Sequence, residues 1–351
     1  MLRGERKYEF RQRMLAVNKT GVRDKNAVLQ PEEFAIKGGM SVSIPNDPVI
    51  YTAARDFMDF MYKSMELSVI VCAEDPENGD IVVELDERYK SYKSYKINID
   101  AKKIYITAHD ARGAAQALYR LEERMLTRRA PFLVMGTEER SPLYSPRMIQ
   151  SGYGMGQFPN EHLLQIAKAG MDAIMIGVAG KRNPSSGYME YMDYNELIYR
   201  ANLHGLDVYA YSHMEVFVHP DEPHARDCYD RVYGELFRNC PGFKGVILVG
   251  ESTSVPTKDP AAAPCHWYDN MIDGIPTGKP CAGFWPCRDY KDWLELLRDV
   301  VFAALCQQLG WDSYESRSIA KFRGVLVFGL KNYIFRHAKK TFVPVCCLLC
   351  I

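Results

Sequence analysis

Two tetrapeptides, Ala-Gly-Met-Asp at 169–172 and His-Gly-Leu-Asp at 204–207, stand 35 residues apart, and Gly242 follows Gly205 by 37. Each glycine ends a helical pattern and precedes an apolar strand. Helix Glu161–Ala169 leads to strand Ala173–Val178, helix Tyr194–Leu203 to strand Val208–Ser212, and helix Tyr229–Arg238 to strand Gly245–Gly250. Glycine suits that place because it adopts the left-handed conformation that closes a helix. A strand–helix unit of this length is the repeat of a (β/α)8 barrel, which needs about 250 residues for eight units. A doubly wound sheet shares the local pattern; the barrel is the expectation. The short strand Arg147–Ser151 opens the series, and the helix Tyr290–Ala304 closes its fourth unit. Val325–Phe328 is a candidate fifth strand, and the chain remaining after the fourth unit is too short for four more units. The fold class expected is therefore α/β, a small α+β domain followed by a (β/α)8-type barrel truncated after four or five strands.

The α+β domain is placed at 34–130, after an N-terminal tail at 1–33. Met40–Ile44 alternates as a half-buried strand does, and Pro45–Pro48 supplies a turn. Ala54, Phe57, Phe60, Met61 and Met65 share one face of a helix over 51–66. Leu67–Cys72, Ile81–Leu85, Tyr95–Ile99 and Ile104–Thr107 read as strands. Asp110 caps a helix over Ala111–Leu126 with Ala114, Leu118, Leu121 and Met125 as its apolar stripe. A basic connector fills 131–146, and the partial barrel spans 147–304.

Lys+Arg and Asp+Glu both number 44, so charge gives no reason to expect nucleic acid or an anionic membrane as partner. No apolar run approaches the roughly 18 residues of a membrane span. The charged start lacks the apolar core of a signal peptide, which points to the cytoplasm and to reduced cysteines. Cys347 and Cys350 make a C-x-x-C with no second pair at zinc-ribbon spacing. Cys265, Cys281 and Cys287 with His266 read as buried or loop thiols, which are commoner than a metal cluster, so neither a metal nor another cofactor is expected. The segment 305–351 stands apart: after Glu315 there is no acid, while seven of the basic residues follow it. It reads as an atypical basic and apolar tail, the product of a shifted reading frame, which sequencing the gene near codon 304 tests.

The stretch Ile104-Tyr-Ile-Thr-Ala-His-Asp-Ala-Arg-Gly-Ala-Ala-Gln-Ala-Leu-Tyr-Arg-Leu-Glu-Glu resembles the strand and helix that end the non-catalytic domain of β-N-acetylhexosaminidases, glycoside hydrolases of family 20. With the barrel start, the resemblance covers roughly 35–300. It implies that Arg147, in Ser-Pro-Arg-Met-Ile, binds sugar hydroxyls from the first barrel strand. It also matches Glu251 to the family's general acid. Gly250 stands where the family has an aspartate that positions the substrate's acetamido group, so this sequence departs from the pattern that gives N-acetylhexosamine specificity.

The residues support part of that picture independently. Glu251 follows an apolar strand, which places it at the barrel mouth where this fold projects its catalytic groups. A carboxyl near apolar walls has a raised pKa and can protonate a leaving glycosidic oxygen. A second carboxylate is needed; Glu215 qualifies by position only. His213 ends the third strand and is a candidate to hydrogen-bond substrate, with His219 a weaker one. Trp267, Tyr268 and Trp285 follow the fourth strand; Trp285 is the candidate to stack on a sugar. The expected ligand is an oligosaccharide or glycoside. The competing function is a non-catalytic carbohydrate-binding or truncated remnant of such an enzyme. A nucleotide-binding turn at Gly152-Tyr-Gly-Met-Gly156 has the wrong glycine spacing and is set aside.

Overall fold

The computed structural model describes residues 15–73, 75, 78–150, 158–178, 193–213 and 218–249, with shorter pieces at 9, 12, 271–272, 275–276, 296, 299–300, 303 and 325–328. The chain divides into two compact units, Met1–Ile174 with Glu196–Asp207, and Met175–Asn195 with Val208–Ile351.

The first unit contains a six-stranded sheet. Its strands are β2 (Ser41–Ile44), β3 (Ile70–Ala73), β4 (Ile81–Leu85), β5 (Tyr95–Ile99), β6 (Ile104–Ala108) and β8 (Gly136–Arg140), ordered β3-β2-β4-β6-β5-β8. The pairs β2–β3, β2–β4 and β4–β6 are parallel; β5 pairs antiparallel with β6 and β8. Asp100 makes the β5–β6 turn by accepting from the Lys102 and Lys103 amides at 2.6 and 2.8 Å, as an Asx turn does.

Helices α1 (Pro48–Met65) and α2 (Ala111–Arg128) pack on each other and on this sheet. Helix α2 begins where the sequence predicts, whereas α1 begins at Pro48, inside the stretch read as a turn and ahead of the helix expected over 51–66. Asp47 Oδ1 accepts from Val49 and Ile50, with Pro48 in the first helical position, and Asp110 Oδ1 accepts from Gly113. The periodic apolar positions Ala54, Phe57, Phe60, Met61, Ala114, Leu118, Leu121 and Met125 are all buried. Burying each large side chain contributes roughly 1.5–3 kcal/mol. Gly113 lets α2 approach the chain before β5, since a Cβ there would lie 2.6 Å from Ser94 O.

The stretches read as tail and connector also hold strands. Glu33–Ala35 (β1) pairs antiparallel with Phe132–Val134 (β7), and β8 joins the main sheet. The sequence Gly-Thr-Glu-Glu-Arg of β8 shows no apolar alternation because it is an edge strand, where charges block further pairing.

Beyond β8 follow β9 (Met148–Gln150), α3 (Asn160–Lys168), β10 (Ala173–Gly177), α4 (Tyr194–Leu203) and β11 (Asp207–His213). The two glycines of the repeat both take positive φ, +81° at Gly170 and +71° at Gly205. In the second unit β11 is followed by α5 (Ala225–Tyr229), a π-turn at Asp230–Gly234, α6 (Glu235–Asn239) and β12 (Gly245–Val249). A two-residue antiparallel pair, β13 (Met271–Ile272) with β14 (Ile275–Pro276), comes next, then β15 (Val325–Phe328). Among the described residues the sheet order β9-β10-β11-β12-β15 follows the chain, without the reversal a doubly wound sheet requires. Thus four residues of the segment read as an atypical tail pair with β12 as its next parallel neighbour. The helix expected over 290–304 falls largely outside the described residues.

Candidate functional site

In parallel strands followed by helices, chemistry collects where the strands end. The register of β11 on β12 sets His213 level with Val249, and Val249 in turn is level with Phe328 of β15. Three neighbouring strands therefore end together, and the chain leaving β12 reaches Glu251 two residues later. Glu251, Trp285, Trp267, Tyr268, Glu215, the Gly152–Gly156 turn and the Cys265/Cys281/Cys287/His266 group lie outside the described residues. His219 is buried at 4% exposure, and its Nδ1 accepts from the Asp221 amide at 3.1 Å. Among the described residues, no group of three or more potential ligands is arranged to hold a metal, and no helix is long and apolar enough to cross a membrane.

Arg147 stands elsewhere. It immediately precedes β9, so it belongs to the beginning of its strand, whereas His213 closes β11. Its carbonyl accepts from Asp172 and Ala173. Its amide donates to Asp172 Oδ1, and its Nε lies 3.4 Å from Asp172 Oδ2. The same carboxylate takes Lys93 Nζ at 2.6 Å, and that ammonium also donates to Ser145 Oγ at 2.8 Å. Lys93 and Asp172 have side chains only 2% and 4% exposed. Burial outweighs the carboxylate and lowers the pKa of Lys93.

One repeat later the arrangement recurs. Arg112 of α2 forks onto Asp207, with Nη1 to Oδ2 at 3.0 Å and Nη2 to Oδ1 at 2.6 Å. The aspartate closing each Gly-x-Asp motif thus pairs with a cation of the α+β layer. Sequence reasoning saw the repeat but missed Lys93, Arg112, Asp172 and Asp207 as partners. The signal available was the aspartate repeated with the glycine.

A second buried cluster fixes α3. Lys168 Nζ contacts Asp56 Oδ2 at 2.6 Å, Glu122 Oε2 at 2.7 Å and Asn18 Oδ1 at 3.0 Å. Asn18 Nδ2 donates in turn to Asp56 Oδ1 and Asp59 Oδ2 at 2.8 and 2.9 Å. Burial, and then the charge of Asp56, push the Glu122 carboxyl well above the ordinary glutamate range. Burial opposes the Lys168 ammonium, but the two acids overcome it and its pKa is raised.

No family model matches the chain, and no curated protein matches its sequence. Solved structures do. A β-hexosaminidase variant from Streptomyces plicatus, in complex with the product GlcNAc, superposes with a TM-score of 0.57 over 86% of this chain and 67% of that one, at 14% identity. The fold of this chain resembles that of the family 20 β-N-acetylhexosaminidases. The family 20 enzyme from Streptomyces coelicolor A3(2) gives 0.55 at 14% identity, over 87% of this chain and 68% of its own. A family 138 glycoside hydrolase targeting pectin rhamnogalacturonan II gives 0.53 at 11% identity, over 78% of this chain and 34% of its own. The alignments to the Streptomyces enzymes span 57–68% of their length. At these identities the likeness is one of fold.

Proposed function

We propose that this chain is a glycoside hydrolase-like protein acting on glycosidic bonds of oligosaccharides, with Glu251 as general acid. His213 and Trp285 are its sugar-contacting side chains, and Arg147 contributes to ligand binding. The observation that supports this most is the register of β11 on β12, which starts the segment toward Glu251 beside His213 at the strand ends. The hexosaminidase-like fold adds support, and a related structure holds GlcNAc. A carboxylic acid leaving an apolar strand keeps its proton near neutrality and can deliver it to the departing oxygen.

A second reading, a carbohydrate-binding protein without turnover, is favoured by Gly250 standing in place of a catalytic aspartate and by the engagement of Arg147 with Asp172. Chromogenic glycosides separate the two. Turnover by the wild type, reduced about 10²–10⁴-fold in Glu251→Gln, is the expected result. Undiminished turnover in Glu251→Gln would remove the acid assignment, and sugar binding with no turnover leaves the second reading.

A further inference from the structure

The first unit carries an open cleft of about 570 Å³ between α2, the end of α3 and the segment after β8. That volume lies within the range of small-ligand sites. Its lining contains five cations, among them Lys93, Arg120, Arg140 and Arg147, against one carboxylate, Glu123. The fifth, Lys168, is matched by Asp56 and Glu122, but the carboxylates behind the wall do not balance the others. Glu138 serves Arg120, Arg124 and Arg140 at 3.0, 3.7 and 2.9 Å, and Glu123 answers only Arg120, at 2.7 Å. Asp172 is shared by Lys93 and Arg147. Each side of the cleft is thus one negative charge short.

The shortage has a direction. Arg147 uses only its backbone amide and Nε on Asp172, so neither Nη atom has a hydrogen-bond partner among the described residues. The side chain is 29% exposed. A half-buried planar fork with unmet donors is suited to a carboxylate or sulfate, which accepts two parallel bonds. Tyr144, 49% exposed, lines the same cleft, and an aromatic ring is suited to the C–H face of a pyranose.

We propose that this cleft binds the anionic group of an acidic saccharide, a pyranose carrying a carboxylate or sulfate, with Arg147 as its anchor. The saccharide part rests on the hydrolase-like reading above; the anion part rests on the cleft alone.

Calorimetric titration of the full chain at low ionic strength tests it. The probes are a uronic-acid disaccharide, a sulfated disaccharide, the neutral disaccharide of the same linkage, and sodium sulfate alone. Binding by an acidic sugar is expected, weakened about tenfold by Arg147→Gln and by added salt, with the neutral sugar far weaker. The two acidic probes tell carboxylate from sulfate. Equal binding of neutral and acidic sugars overturns the proposal, as does sulfate binding as tightly as the sugar, which marks an ion site only. Arg140→Gln, on the more exposed rim, repeats the test should Arg147→Gln fail to fold, and unchanged affinity in the folded variant overturns the proposal. Glu251→Gln separates the two sites: it should keep the cleft affinity whether or not the wild type turns substrate over. Loss of binding in Glu251→Gln with retention in Arg147→Gln places the ligand elsewhere and sinks the cleft.

Discussion

The two buried ion clusters of the first unit are opposites. Around Asp172, one carboxylate answers two cations, Lys93 and Arg147; around Lys168, one ammonium answers two acids, Asp56 and Glu122. Both are taken out of water, where an uncompensated charge is expensive. The acid-rich cluster relieves its excess internally, because Glu122 can hold a proton. The base-rich cluster lowers the pKa of Lys93 but has no such outlet at Arg147, whose guanidinium stays charged. Arg147 lines the cleft instead. An excess of acid is settled by protonation, and an excess of arginine is left for a ligand.

Removing the shared carboxylate should cost most. Asp172→Ala leaves Lys93 buried with the Ser145 hydroxyl and the Tyr92 ring but no carboxylate, and a loss of about 3–5 kcal/mol is expected in denaturant unfolding. A loss below about 1 kcal/mol would show that the pair is solvated rather than buried. Lys168→Met should cost less, about 2–3 kcal/mol near neutrality, because the orphaned acids can take up protons. Its deficit against wild type should therefore shrink on going from about pH 7 to about pH 5. A deficit independent of pH would mean that the acids do not titrate in place.

The smallest effect is one of slope. Glu122 has a raised pKa when folded, so the native state binds more protons than the unfolded one above the ordinary glutamate range. Stability from this group is present below that range and falls as pH rises toward its folded value. Burial lowers the pKa of His162 and His204, which act in the opposite sense, raising stability as pH climbs toward about 6.5. Glu122→Gln isolates the first contribution: its melting temperature should fall less than that of wild type between about pH 5 and about pH 8. Parallel curves for the two proteins would place the proton elsewhere.

How much of this was legible follows from what each feature depends on. The bodies of α1 and α2 were plain because their apolar stripes, and Asp110 before α2, are local signals; the start of α1 at Pro48 was hidden in a stretch that also reads as a turn. The strand–helix rhythm was plain because Gly170 and Gly205 end their helices in the left-handed conformation whatever surrounds them. Strand β8 was hidden, since an edge strand sheds the alternation by which strands are recognised. The ion pairs were hidden for a different reason: Lys93 meets Asp172 across 79 residues and Arg112 meets Asp207 across 95, with no local mark on either cation. At the candidate site, the end of β11 and the approach to Glu251 were legible from the apolar runs before them. Arg147, expected on the first barrel strand, immediately precedes β9; a pattern of letters does not say at which end of a strand a side chain serves.

Those same two pairs carry a consequence for synthesis. The cations lie upstream of the aspartates they hold. At about 5–20 residues per second, a ribosome releases Lys93 and Arg112 some 4–20 seconds before Asp172 and Asp207. That interval far exceeds the microseconds in which helices and hairpins form. The two cations can therefore be in place before Asp172 and Asp207 emerge, a socket cut before its plug.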